Sequence, residues 1–367
     1  MINKFSIYLK NFDWILFFSV LLLIFFGLAE IYSVALGRDS DLTNFKKQVL
    51  FIIIGLVFLF AFAFFDYHNL RSFSNYFYIL GFLLLIFVLI FGTTIKGTRG
   101  WFSIAGFGIQ PIEFVKIVLV IFLSKYFSDV SIKISPFKHL FLSGLGVFVL
   151  MALVIKQPDF GSAMILFFLW AILVVFAGFK KKYIFLIAVM LVSIFIGGWF
   201  GFFSDYQKDR ITTLFKSNEN SLSEGYNVRQ ATIAIGAGGL IGRGIGFGSQ
   251  SQLKFLPESQ TDFIFAVIAE ELGFLGVSLI ICFFGVFFYR LLVAVKEVNN
   301  DFGIYFILGV MSLIFIEMFI NIGMNIGLIP VVGIALPFLS YGGSALISSL
   351  IMVGIAESII IRSKIKY

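Results

Sequence analysis

Cysteine and histidine are almost absent from this sequence of 367 residues, which holds one cysteine and two histidines. Cys282 alone cannot form an internal disulfide bond, which excludes an internal disulfide framework. His68 and His139 are isolated along the sequence, so no His or Cys cluster has the spacing of zinc ligands. A metal bound by this chain would therefore be a divalent ion held by oxygen atoms.

Charged residues are also scarce, at 13% of the sequence against 60% hydrophobic residues, and the mean hydropathy is +1.04. Apolar runs of about twenty residues recur along the chain, which is the length that crosses a bilayer as a helix. The sequence predicts an all-α polytopic membrane protein that forms one domain over residues 1–367. The ten predicted membrane helices lie at about 14–36, 48–66, 77–94, 112–127, 138–156, 160–178, 182–203, 262–289, 303–326 and 341–361.

Lysine and arginine are divided unevenly between the short loops. If both termini are cytoplasmic, the inner segments hold about fourteen of these residues and the short outer loops about six. We therefore expect a multi-pass protein of the bacterial inner (cytoplasmic) membrane with both termini inside. The long loop at about 204–262, between helices seven and eight, is then extracytoplasmic. The net charge of +7 is spread over many loops rather than along one stripe, which argues against nucleic-acid binding.

Several signatures of soluble enzymes are missing from the sequence. Seven glycines lie between Gly236 and Gly248, but the segment has no G-x-x-x-x-G-K-[ST] pattern and no preceding strand, so it does not predict a nucleotide site. The sequence has no Gly-x-Ser-x-Gly pattern, and we expect neither a hydrolase nor an acyl-enzyme. These glycines instead favour close helix packing or a broken, re-entrant backbone.

Carboxylates gather where the long loop meets an apolar helix. Residues 257–262 carry Glu258 and Asp262 and lead directly into an apolar run that contains Glu270 and Glu271. Charge at or inside the edge of a membrane is costly and usually serves a function. If Asp262 opens the helix, Glu270 lies two turns further on and points in the same direction into the bundle.

Four further polar residues each have more than one interpretation. Glu113 and Lys116 lie on one helix face, where they form an internal ion pair or border a polar cavity for a charged head group. Asp159 is either the N-cap of the sixth predicted helix or part of the same outward-facing site as Asp262. Glu317 has no basic neighbour in the sequence, so it needs a partner on another helix or stays protonated.

Taken together, these motifs resemble the SEDS family (shape, elongation, division and sporulation) of polytopic peptidoglycan glycosyltransferases, which includes RodA and FtsW. A Tyr-Gln-Lys-Asp-Arg run and a short amino-terminal tail resemble RodA more than FtsW. The chain departs from the family in having Lys47 where arginine is more usual and in lacking Asp-Pro before its Gly-Tyr-Asn motif. The resemblance covers almost the whole chain and rests on residues 96–101, 110–116, 157–161, 206–210, 225–230, 252–271 and 321–344.

The resemblance implies that the chain polymerises lipid II into glycan strands for cell elongation and shape, by inverting transfer at the outer membrane face. Attack by the sugar 4-hydroxyl on the anomeric carbon needs a base, for which Asp262 is the candidate. The pyrophosphate leaving group needs cations, which basic side chains or a divalent ion supply. The candidate substrate-binding residues are Glu113, Lys116, Arg99, Asp159, Arg210, Glu258, Lys47 and Arg243.

Ligands and partners follow from the same resemblance. They are lipid II, membrane lipids and a class B penicillin-binding protein, which is a single-span transpeptidase. A divalent cation, Mg or Mn, is compatible with this function, and we expect no organic cofactor.

Two other functions remain open at this point. A lipid II flippase or transporter would also be a bundle of about ten helices with intramembrane carboxylates. Such a carrier needs polar residues through its full depth, whereas the acidic residues here concentrate on the outer side. A scaffold that only recruits other wall proteins would not explain why carboxylates stand at positions 262 and 113.

Overall fold

The computed structural model describes residues 2–37, 41–95, 97–104, 106–129, 136–202, 208 and 224–365. Most of these residues are helical, and Gly198–Phe202 continues one helix as a π-helix. The helices are α1 (Ile2–Asn11), α2 (Trp14–Ala35), α3 (Thr43–Phe64), α4 (Tyr67–Ser72), α5 (Ser74–Phe91), α6 (Pro111–Asp129), α7 (Pro136–Lys156), α8 (Phe160–Phe176), α9 (Lys181–Gly197), α10 (Glu224–Gly238), α11 (Ser249–Gln252), α12 (Ile264–Glu297), α13 (Asp301–Asn325) and α14 (Gly343–Lys364).

Every predicted membrane helix corresponds to a helix of the structure, namely α2, α3, α5 to α9 and α12 to α14. In the described part of the chain, eight helices are long and apolar enough to cross a membrane. The other two are α8, which is apolar but shorter, and α6, which carries charged side chains. Helix α12 was predicted to end near residue 289 but continues to Glu297, and the charge of Arg290 within it is paired with Asp13 at 2.6 Å.

The predicted helical membrane fold is confirmed, and a small antiparallel sheet between α5 and α6, which was not predicted, is added to it. Its strands are β1 (Thr93–Ile95), β2 (Thr98–Ile104) and β3 (Phe107–Ile109), in the order β1-β2-β3. Two of the strands have only three residues, too few to show an alternating pattern in the sequence. The sheet lies directly before Pro111, so it fixes the start of α6.

Helix α14 forms the centre of the bundle, with 89% of its span buried against 12% for α9. It packs along α3, where Gly354 meets the backbone of Leu59 so closely that a Cβ atom would overlap it. Buried side chains from α2, α6, α8, α12 and α13 complete one continuous apolar core. Helix α14 begins next to the turn before α12 and the loop between α13 and α14.

Helix α12 is broken at Gly273, whose φ of 65° and ψ of −164° are not helical. A glycine-rich segment, residues 239–244, enters the break and satisfies the backbone groups that the break releases, as re-entrant segments must do in a membrane protein. A broken backbone was predicted for the glycine-rich segment. The structure shows it there and also in α12, at Gly273. The bonds are Arg243 N to Glu270 O (3.0 Å), Gly244 N to Glu271 O (2.9 Å), Phe274 N to Gly239 O (2.9 Å) and Leu275 N to Leu240 O (3.1 Å).

Candidate active site in an acidic cavity

A cavity of about 970 Å³ lies where α6, α8 and α14 begin. Its walls also include residues of the sheet, the turn before α12 and the loop between α13 and α14. Within the part of the chain that the structure describes, one lysine and five carboxylates line it, so its lining is strongly acidic. The charged lining residues are Glu113, Lys116, Asp159, Glu258, Asp262 and Glu317.

Asp262 lies on the cavity wall at the end of the turn that precedes α12. It does not open the helix as expected, because Phe263 occupies the N-cap and the helix begins at Ile264. The turn is tight, with Glu258 at a φ of 52° and its carbonyl accepting from the backbone N–H groups of Thr261 (3.1 Å) and Phe263 (3.2 Å). The carboxyl group of Asp262 is half-buried at the cavity wall.

The turn is held from two sides. On one side, Asn321 and Asn325 of α13 each donate through Nδ2 to the carbonyl oxygen of Asp262, both at 3.0 Å. On the other side, Ser340 Oγ donates to the carbonyl of Thr261 at 2.7 Å. Sequence reasoning named Asn321 only as part of a motif and missed Asn325, although a buried amide one helical turn away is a recognisable signal.

Glu113, Lys116 and Glu317 form a buried ion triad deeper in the cavity. The Nζ atom of Lys116 lies 2.7 Å from Glu113 Oε1 and 2.6 Å from Glu317 Oε1. The predicted need of Glu317 for a partner on another helix is confirmed, and the partner is Lys116. The triad both pairs internally and borders the cavity, so the two interpretations of Glu113 and Lys116 are compatible.

Asp159 is the N-cap of α8 and also lines the cavity. Its side chain accepts from Ser162 N (3.0 Å) and Ser162 Oγ (2.7 Å), and from Gln110 Nε2 at 3.4 Å. Burial raises the pKa of this carboxyl, although the bonds from Ser162 act in the opposite direction. Much of its accepting capacity is therefore used to start α8.

The other basic candidates do not line the cavity. Arg99 donates to the carbonyls of Gly92 (3.2 Å) and Ile90 (2.9 Å) at the end of α5. Lys47 donates to the carbonyl of Gly106 at 3.0 Å, and Arg243 donates to that of Ala237 at 3.3 Å. Their expected contact with pyrophosphate stays a prediction, and Arg210 lies outside the described residues.

Glu270 is fully buried in the bundle, but it does not line the cavity with Asp262. Asp262 precedes the helix, and residues 248–252 cover Glu270, which accepts from Gln250 N (2.8 Å) and Ser251 N (3.1 Å). Glu271 accepts from Ser33 Oγ at 2.6 Å and from Gly246 N at 3.0 Å. Both side chains therefore stabilise residues 246–252, which follow the segment that enters the break in α12.

The fold and the cavity define a multi-pass membrane protein with an acidic site at one end of its helix bundle. The chain belongs to the family described as FtsW/RodA/SpoVE cell cycle proteins, whose family model matches residues 13–365. It is 36% identical to stage V sporulation protein E of Bacillus subtilis over 353 residues, 94% of this chain and 95% of that protein. It is 35% identical to peptidoglycan glycosyltransferase MrdB of Escherichia coli K12 over 324 residues, 88% of this chain and 87% of that protein.

Solved structures share the fold. A chain from "Structural coordination of polymerization and crosslinking by a peptidoglycan synthase complex" superposes with a TM-score of 0.81 at 25% identity, covering 96% of this chain and 98% of that one. The rod shape determining protein RodA of Thermus thermophilus superposes with a TM-score of 0.72 at 24% identity, covering 97% of this chain and 98% of that one. The architecture described above is therefore that of a SEDS protein.

Proposed function

We propose that this chain is a SEDS peptidoglycan glycosyltransferase that polymerises lipid II at the outer face of the cytoplasmic membrane. The observation that carries the proposal is Asp262, held at the wall of an acidic cavity by a turn that α13 and the loop between α13 and α14 fix in place. Similarity to a protein named as a peptidoglycan glycosyltransferase over 88% of the chain supports the same activity.

In the proposed reaction, Asp262 accepts the proton of the sugar 4-hydroxyl while that oxygen bonds to the anomeric carbon of a second lipid-linked sugar. The bond from that carbon to the pyrophosphate oxygen breaks, and the lipid pyrophosphate leaves with the electron pair. Attack and departure on opposite faces invert the anomeric centre. A carboxylate held in a fixed turn suits this role because it removes the entropy of orienting the base.

The leaving group raises a problem of charge, because its phosphates enter a cavity that five carboxylates and one lysine line. The described residues contain no cluster of three or more metal-binding side chains. Oxygen donors are nevertheless the ligands that Mg²⁺ and Mn²⁺ prefer. Carboxylates of the cavity lining such as Asp159 would hold a divalent ion, which would supply positive charge to neutralise the leaving group. We include no organic cofactor.

Lipid tails must reach the cavity from the side. Apolar residues Phe160, Phe167 and Phe168 of α8 and Leu191 of α9 line the cavity beside its acidic end. Because α9 is the least buried of the candidate spans, the gap next to it is the natural entrance for a lipid-linked sugar. The head group then lies near Asp262 while the tail stays in contact with the bilayer.

We further propose a class B penicillin-binding protein as partner and a role in elongation, as in RodA. The partner is supported by the similarity to a solved chain whose description concerns coordinated polymerization and crosslinking. The elongation role rests on sequence resemblance.

The test is polymerisation of purified lipid II by the purified chain, with and without Mg²⁺ or Mn²⁺ and with a class B partner. Wild type is expected to give glycan ladders, whereas Asp262→Asn, which keeps the shape and loses the base, gives none. Asp41→Asn, which changes an exposed carboxylate away from the cavity, serves as the control and keeps wild-type activity. Lipid II crossing liposome leaflets without any ladder would instead identify a flippase.

A further inference from the structure

Two buried asparagines converge on one backbone oxygen beside the cavity. Asn321 and Asn325 lie one turn apart on α13, are fully buried, and both donate to the carbonyl of Asp262 at 3.0 Å. Asn321 Nδ2 also donates to the carbonyl of Ile334 at 2.7 Å, in the loop that forms another wall of the cavity. One side chain thus joins two walls that belong to different segments of the chain.

Asn325 also caps α12 from the neighbouring helix. The N-cap residue Phe263 has no side-chain oxygen, and the N–H of Ala266 donates to Asn325 Oδ1 at 3.1 Å. An N-cap side chain commonly accepts from this position of the first turn. Asp159 provides the contrast, because it caps its own helix α8 through Ser162 N. At α12, Asn325 supplies that acceptor in trans.

The two amide donors constrain the orientation of the Asp262 carbonyl as well as its position. They hold the plane of the peptide between Asp262 and Phe263, and this plane together with the tight turn sets the direction of the Cα–Cβ bond of Asp262. Both amides are inaccessible to solvent, so the loss of either leaves the Asp262 carbonyl with one donor fewer.

We propose that Asn321 and Asn325 are positioning residues that aim the Asp262 carboxylate at the sugar hydroxyl. The proposal rests on the proposed function, since it assigns the base to Asp262. Neither asparagine touches the substrate. A displacement of the base by about 1 Å lowers the rate of such a reaction about 10²-fold.

The experiment compares Asn321→Leu and Asn325→Leu, which keep the approximate shape and lose the amide, with wild type in lipid II polymerisation. Each is expected to lower kcat about 10²-fold, because the base moves. Asn325→Leu is also expected to leave KM for lipid II within about threefold, because the bond from Asn321 to the cavity wall at Ile334 stays. Asn325→Asp keeps an acceptor for Ala266 N–H, so it is expected to fold even if Asn325→Leu does not. Its kcat is expected to fall while its KM for lipid II stays near the wild-type value.

Asn300→Ala is the matched control. Asn300 caps the other end of α13 through Phe302 N at 3.0 Å, so its loss weakens the same helix without reaching Asp262. It is expected to lower the melting temperature and to keep wild-type kcat for the folded protein.

The outcomes separate the two proposals. Wild-type kcat in the folded asparagine variants, with Asp262→Asn inactive, would overturn the positioning role and leave the proposed function intact. A rise in KM with unchanged kcat would also overturn it, because the asparagines would then act on binding. A wild-type chain that makes no strands under any condition would overturn the proposed function itself, and the positioning role with it.

Discussion

At the scale of single residues, the partner of each buried charge decides its role. Lys116 lies between Glu113 and Glu317, which come from different helices, and all three are buried. Removing the central cation leaves two carboxylates in an apolar region without compensation. Removing one carboxylate still leaves an ion pair.

We therefore expect Lys116→Met to lower the free energy of unfolding by about 3–5 kcal/mol, and Glu317→Gln to lower it less. Thermal unfolding in detergent measures both, and Lys10→Met, at an exposed residue, is the control. Equal stability of Lys116→Met and wild type would contradict the triad. If a triple variant that also carries Glu113→Gln and Glu317→Gln recovers stability but not activity, the triad also serves the reaction.

Residue types were predicted from the sequence more completely than their contacts. The cost of an unpaired carboxylate was enough to infer that Glu317 needs a partner, but only the packing of α6 against α13 identifies Lys116. Arg99 and Lys47 were expected at the pyrophosphate because arginine and lysine suit phosphate. Nothing in the sequence shows that their donors reach backbone carbonyls of the sheet and of α5.

At the scale of secondary-structure elements, the break in α12 depends on glycines of another element. Gly238 ends α10 against the carbonyl of Ala269, where a Cβ atom would overlap the backbone oxygen. Gly236, two residues earlier on the same helix, has no atom within 4 Å of an added Cβ. The pair therefore separates the effect of close packing from the effect of helix propensity.

We expect Gly238→Ala to destabilise the protein by about 1–3 kcal/mol, because backbone must shift to admit the methyl group. Gly236→Ala is expected to be neutral or to stabilise by about 0.5–1 kcal/mol, since alanine favours a helix over glycine. Melting temperatures of the two purified variants decide the matter. Equal effects of the two substitutions would show that the glycine-rich segment does not depend on this contact.

Hydropathy predicted the ten long helices because a membrane requires their length and apolar character. Hydropathy could not predict the break at Gly273. The apolar run is continuous in the sequence, and the break depends on backbone hydrogen bonds from another segment of the chain. Helix α10, within the predicted outer loop, was missed for a similar reason. Its apolar face is buried mainly against α12, as the buried Ala231 and Ala234 show.

At the scale of the whole molecule, the two ends of the bundle carry different polar groups. At one end, Asn44 of α3 donates to Gln260 Oε1 at 2.7 Å, beside the turn that bears Asp262. At the other end, Arg290 pairs with Asp13 at 2.6 Å and Asn300 Nδ2 donates to Tyr67 at 3.3 Å. The orientation expected from lysine and arginine places the first end outside, so the proposed chemistry requires that orientation.

The orientation can be tested because the sequence has a single cysteine, Cys282. In a Cys282→Ser background, we expect Asp41→Cys to react with a membrane-impermeant maleimide added to intact spheroplasts, because its loop lies at the cavity end. Asn299→Cys, in the exposed connection between α12 and α13, should react only after the membrane is permeabilised, since the positive-inside rule places that loop in the cytoplasm.

The reverse pattern would put the cavity on the cytoplasmic side and exclude polymerisation at the outer face. Reaction of both cysteines in intact cells would point to leaky spheroplasts, which a cytoplasmic marker enzyme in the medium reveals.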